Sequence, residues 1–198
     1  MDYLERFDPY TYLLILHPDE SVNGKIMQQK KAFAEKNECP SCVYSKPHIT
    51  LIKFFQATTM ESLLVRRICY YAQSVSSFNI RINGFGSFPS HTIYIKVQTK
   101  NEIIQLVKNL RELQLPLKFD KGHKPHFITE PHITIARKLL PWQYEKGWLE
   151  WSHLDFSASF MTNDMVLLKR KDERSKYQIV ANFPFEGKRQ TIQQTFMF

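Results

Sequence analysis

"EPHITIARKL", residues 130–139, echoes "KPHITLIKFF", residues 46–55. Laid side by side, Pro47–Lys53 and Pro131–Arg137 share Pro, His, Ile and Thr, and then pair Leu51 with Ile135, Ile52 with Ala136 and Lys53 with Arg137. Runs so rich in β-branched residues favour strands. In a strand, residues i and i+2 point to one face about 7 Å apart, and i+1 and i+3 to the other. His48 therefore shares a face with Thr50, and His132 with Thr134, while Ile49, Leu51, Ile133 and Ile135 take the opposite face. Each copy reads as a strand with an apolar underside and a polar working surface, and the repetition points to two similar halves.

Around the echo, elements alternate. "YTYLLIL" (10–16) is a short apolar run stopped by His17-Pro18, a buried strand. "SVNGKIMQQKKAFAEK" is helical, with Ile26, Gln29, Lys30 and Phe33 on a partly apolar stripe. The stretch 59–74 is a second helix, with Thr59 as N-cap and Ser62 at N3. "FNIRINGFGSFPSHTIYIKVQ" alternates as two strands with Gly84 and Gly86 as turn residues, and 100–115 is the clearest helix. "PHFITEPHITIARKL", "MVLLKR" (165–170) and "YQIVANFPF" (177–185) complete the strands, with "KDERSK" as a hairpin loop. Strands interleaved with helices and hairpins indicate an α+β, or mixed α/β, fold. The 198 residues fit one two-lobed domain with a core over about 10–185, leaving the tail 186–198 unassigned.

Lys and Arg number 27 against 19 Asp and Glu, a net charge of +8 that suits a polyanionic partner. Three cysteines, few and odd in number, suggest a reducing compartment. Cys39-Pro-Ser-Cys42 has redox or zinc spacing, but no second pair completes a zinc site and the stretch reads as loop. The polar start "MDYLERFDPY" does not resemble a signal peptide, and the longest apolar run, seven residues, is too short to span a membrane. A cytoplasmic monomer with no membrane partner is expected.

Two opposed imidazoles suit acid–base work: one takes a proton from a nucleophile while the other gives one to a leaving oxygen, near their ordinary pKa of about 6.5. Threonine hydroxyls can donate to phosphate oxygens, whose charge a cation also stabilises. Lys53 and Arg137 lie five residues past their histidines, on the wrong face by simple alternation, so a strand end or bulge must re-aim them. His123, His126 and His132 lie close in sequence, yet Pro125 blocks helical presentation of "HKPH" and no acidic base lies between His123 and His126, so no metal site is expected.

The paired H-x-T motifs, 84 residues apart, resemble those of the two-histidine (2H) phosphoesterases, which include the 2′-5′ RNA ligase-like proteins. Arg137 after the second motif, the first strand, "GFGSFPSHTIYIKV" and the closing strands fit the same resemblance. It implies a bilobal fold with a cleft between two antiparallel sheets, and His48 and His132 as catalytic residues. It further implies Thr50, Thr134 and Arg137 as phosphate-binding residues, Lys53 and Phe54 as candidate substrate contacts, and no cofactor. The implied reaction is metal-independent hydrolysis of 2′,3′-cyclic phosphodiesters of RNA ends or cyclic nucleotides to 2′-phosphates, with 2′-5′ linkages as a second bond class. The alternative is a non-catalytic nucleotide- or RNA-binding module of the same fold; binding alone would not require two proton carriers.

Overall fold

The structure, a computed structural model, describes residues 9–188. Its elements run β1 (Pro9–Leu16), α1 (Glu20–Lys36), β2 (Ile49–Ala57), α2 (Glu61–Gln73), β3 (Phe78–Phe88), β4 (Thr92–Val97), α3 (Lys100–Leu110), the one-turn α4 (Gln114–Leu117), β5 (His126–Phe127), β6 (His132–Arg137), α5 (Pro141–Trp151), β7 (Ser157–Thr162), β8 (Asp164–Arg170) and β9 (Gln178–Pro184). The fold is α+β, with every strand pair antiparallel. The strand order is β7-β3-β4-β6-β2-β1-β8-β9, with β5 added to β2. The two sheets of a bilobal molecule are thus halves of one path, joined where the motif strands β2 and β6 meet at Ile49 and Ile133.

Helix α1 begins at Asp19, whose carboxylate accepts from the Val22 amide, and buries Val22, Ile26, Lys30, Phe33 and Ala34. It follows β1 of one half in sequence but packs beneath β6 of the other, so the chain itself crosses the junction. Helix α5 lies against α1: the ring of Phe33 fills the space above Gly147 and meets Trp151 edge-on at 4.8 Å. The buried Gln143 amide donates to the carbonyls of Asn37 and Glu38, which end α1. Helices α2 and α3 cover the other half, against β9 and β2.

Several expectations are corrected. Helix α2 is entered from a 3₁₀ turn, Thr58–Met60, so Thr59 does not cap it, and Met60 at the N-cap makes no side-chain bond. The first carboxylate, Glu61, is instead drawn under the sheet by the Tyr12 hydroxyl and Lys169. Gly84 and Gly86 lie inside β3. Gly84, at φ +65°, makes the bulge that shifts register between Ile82 and Phe85, and Gly86 leaves room for the ring of Tyr94. The chain reverses at Pro89–His91, with Ser90 at φ 72°. The helix expected over 100–115 tightens into 3₁₀ geometry at Arg111–Leu113 before α4. Helix α5 and strand β7 were not foreseen. Cys39 and Cys42, expected as loop thiols, are joined as a disulfide across the 3₁₀ turn Pro40–Val43, which sets their Cα atoms 5.8 Å apart. Residues 189–198 of the unassigned tail lie outside the described residues. Among the described residues, no helix is long and apolar enough to cross a membrane.

Candidate active site

The antiparallel register that opposes Ile49 to Ile133 sets His48 beside Thr134 and Thr50 beside His132. The two isoleucines are fully buried on the helix side. All four polar residues are partly exposed on the opposite face. The echo in the sequence is therefore a local two-fold axis in the structure.

Both motif strands are bulged at the same step. Leu14 opposes Ile52 but Ile15 opposes Thr50, which makes Leu51 the extra residue in β2. Ile93 opposes Ala136 but Tyr94 opposes Thr134, which makes Ile135 the extra residue in β6. Each bulge resets the alternation. Leu51 and Ile52 are both buried, as are Ile135 and Ala136, and the next residues, Lys53 and Arg137, are exposed. The bulges thus return both cations to the face of the histidines and threonines, the re-aiming that a straight strand could not provide.

The imidazoles are held alike. His48 Nδ1 lies 2.8 Å from the Lys46 carbonyl oxygen, and His132 Nδ1 lies 2.8 Å from that of Glu130. A carbonyl only accepts, so Nδ1 carries the proton in both rings and Nε2 is left for chemistry. Burial lowers the pKa of His48, and the charges of Lys30, Arg137 and His132 lower it further against the opposing pull of the Lys46 carbonyl. Burial also lowers that of His132, where the backbone and carboxylate of Glu130 act in the opposite direction. The Glu130 carboxylate is itself bonded to Lys100 at 2.5 Å.

The walls differ. Beside His132 stand Phe88, edge-on at 5.0 Å, and Tyr94 at 5.1 Å, themselves 4.6 Å apart. On the other side, Ile15 opposes Thr50 and Leu13 opposes Lys53, so these aliphatic side chains share the motif face. With Val166 they form a small apolar cluster against which Leu168 and Tyr177 pack. Phe54 is not at this face: it is 3% exposed and stacks in the core on Tyr12 at 5.0 Å. Its neighbour Phe55 is only partly buried and stacks on His123 at 4.7 Å. Among the described residues, no group of three or more His, Cys, Asp or Glu side chains is placed to hold a metal ion.

Sequence reasoning did not identify Lys30, Glu130, Phe88 or Tyr94 as parts of this region. Glu130 stands two residues before His132, and Tyr94 is fixed by its register with Thr134. The only sequence signal for Tyr94 was the alternating run "HTIYIKV".

Residues 18–174 match the model of the 2′-5′ RNA ligase superfamily. A Bacillus licheniformis protein that carries a provisional phosphoesterase name is 25% identical over 131 residues, which span 65% of this chain and 71% of that protein. The structure is similar to that of E. coli LigT solved with 3′-AMP, with a TM-score of 0.61 and 14% identity over 89% of this chain and 98% of LigT. It is also similar to TT0787 of Thermus thermophilus, with a TM-score of 0.58 and 17% identity over 90% of this chain and 100% of that one. LigT has also been solved with NADP+, a match with a TM-score of 0.61 at 15% identity, covering 89% of this chain and 98% of LigT. With twin H-x-T strands meeting at one point and a family match across most of its length, the chain belongs to the 2′-5′ RNA ligase superfamily of two-histidine phosphoesterases.

Proposed function

We propose that this chain is a phosphoesterase that opens 2′,3′-cyclic phosphodiesters, at RNA ends or on nucleotides, to 2′-phosphates without a metal ion. The observation that carries the reading is the matched pair of imidazoles, each fixed through Nδ1 with Nε2 free, on one face with two threonines. One neutral Nε2 accepts a proton as water attacks phosphorus. The P–O3′ bond breaks, and the other imidazole gives its Nε2 proton to the leaving oxygen. Thr50, Thr134 and Arg137 stabilise the charge on the non-bridging oxygens, with Lys53 as an outer cation. Both lobes contribute one motif, so the working unit is a single two-lobed domain. LigT, solved with 3′-AMP and with NADP+, supports a nucleotide-bearing ligand for this fold.

The test is incubation of chelator-treated protein with 2′,3′-cyclic mononucleotides and cyclic-phosphate-ended RNA, with products resolved by chromatography. A 2′-phosphate product at the same rate with and without EDTA is expected. Binding without turnover would leave a nucleotide-binding module, and activity lost to EDTA but restored by zinc or manganese would require a metal.

A further inference from the structure

Past the bulge, the motif face of β2 continues from Lys53 to Phe55. His126 of β5 opposes Lys53 in register, so Lys53, His126 and Phe55 line one face. The loop that enters β5, residues 118–125, folds back over this end of the strand. The imidazole of His123 lies over Phe55 with centroids 4.7 Å apart and planes inclined by 26°. Phe119 meets both rings near edge-on, at 5.4 Å and 6.1 Å. His123 is not free to turn: its Nδ1 donates to the Asp120 carboxylate, whose oxygens lie at 2.8 and 2.9 Å. The same carboxylate accepts from the amides of Gly122 and His123. Yet 43% of the His123 side chain remains exposed. Holding an exposed ring in one plane costs conformational entropy, and covering Phe55 does not require it, since an aliphatic side chain would do so unaided. The outer face of His123 is thus a fixed, planar and open surface.

We propose that Phe55 and His123 form a stacking platform for a nucleobase on the 5′ side of the cyclic phosphate, so that the site takes an RNA strand in preference to an isolated cyclic nucleotide. This rests on the phosphoesterase reading given above. Strand rise places Phe55 roughly 15 Å from Thr50 along β2. That is past the nucleoside that carries the cyclic phosphate and within reach of one upstream of it. Lys53 and His126 lie between the two, where the linking backbone would cross. The loop itself carries Lys118, Lys121 and Lys124, all exposed. Asp120, the carboxylate among them, is engaged by His123 and the loop amides. Rings set among cations suit a single strand, because every base has a face to stack and the cations follow the phosphates. The lysine-rich rim favours this polyanion over a protein partner.

The experiment compares full-length wild type, His123→Ala and His123→Phe on 2′,3′-cyclic AMP and on a tetraadenylate ending in a 2′,3′-cyclic phosphate. Wild type should favour the tetranucleotide in kcat/KM. His123→Ala should lower kcat/KM on the tetranucleotide by about 5- to 100-fold, as for the loss of one stacked base. The loss should fall mainly on KM, and cyclic AMP, which does not reach the platform, should turn over as in wild type. His123→Phe keeps a flat ring without the bond to Asp120 and should restore most of the preference. Equal kcat/KM for the two substrates in wild type, or an equal loss on both in a folded His123→Ala protein, overturns the proposal. A readout independent of turnover is the fluorescence of 2-aminopurine, placed among uridines at each upstream position of a tetranucleotide ending in a 2′-phosphate. Binding should quench it at one upstream position in wild type and not in His123→Ala. If wild type hydrolyses no cyclic phosphate, the phosphoesterase reading fails by itself, while the quench still decides whether the platform exists. No quench at any position would leave the rings to another occupant, such as a protein, and the proposal falls.

Discussion

A carbonyl two residues upstream holds each imidazole by Nδ1, which leaves Nε2 for chemistry, and burial lowers both proton affinities. If the two rings act as one acid–base pair, His48→Ala or His132→Ala should each remove about 10²–10⁴ of kcat. The double variant should lose far less than the product of the two, because residues that act as a unit are not additive. The free-enzyme profile of kcat/KM should be bell-shaped with its maximum below about pH 6.5, since both ionisations lie below the ordinary imidazole value. Stability follows the same sign. The unfolded chain binds more protons than the folded one between the depressed pKa and about 6.5, so stability rises with pH across that window and is lost on acidification. Thermal melts from pH 5 to 8 should show a shallower slope for His48→Ala than for wild type. Near-wild-type turnover by either well-folded single variant would make the twin motifs structural.

At the scale of elements, β3 and β4 hold the aromatic wall. A Cβ on Gly86 would lie 2.6 Å from the Tyr94 ring, which is buried and packs on His132. Gly86→Ala must therefore push Tyr94 toward His132, at a cost of about 1–3 kcal/mol for overpacking. Denaturant unfolding should show that loss together with a reduced kcat, whereas wild-type stability and turnover would mean that Tyr94 has room to move. The structure also shows which elements a sequence can reveal. The twin strands and the helices with apolar stripes were legible because periodicity marks one buried face. Helix α5 was not: two of the three buried residues of its "PWQYEKGWLEW" are Gln143 and Gly147, the latter admitting Phe33 from another helix, while Trp142 and Leu149 are exposed. Strand β7, "SASFMT", is a half-exposed edge whose inward positions are Ala158, Phe160 and Thr162, of which Phe160 alone is a large apolar residue. The need for a bulge could be read from Lys53 and Arg137, but its place at Leu51 and Ile135 depends on partners β1 and β4, which no local pattern names. Lys30 was legible as part of the α1 stripe, but not its full burial, because a lysine beside apolar residues ordinarily carries its charge out to solvent.

The whole molecule carries +8, and part of that charge is on the cleft face. Lys53 and Arg137 are returned there by the bulges, and Lys96 opposes His132 in register. All three are exposed. Around the β5 end, Lys118, Lys121 and Lys124 are exposed as well. Among the described residues, Glu130, already bonded to Lys100, brings a negative charge next to His132. A single cyclic phosphate can neutralise little of this field, whereas an oligonucleotide ending in one would release counterions along each phosphate that meets a lysine or arginine, with a log–log slope of about −0.7 per contact for a single strand. The affinity of an oligonucleotide should therefore fall more steeply with salt than that of the matching mononucleotide, and Lys53→Ala should make the oligonucleotide slope shallower by about one contact. Fluorescence anisotropy of labelled ligands between 50 and roughly 300 mM salt measures both. Equal, shallow slopes for the two ligands would mean that the basic surface is not a strand path, and the substrate would then be a small cyclic nucleotide held by the paired motifs alone.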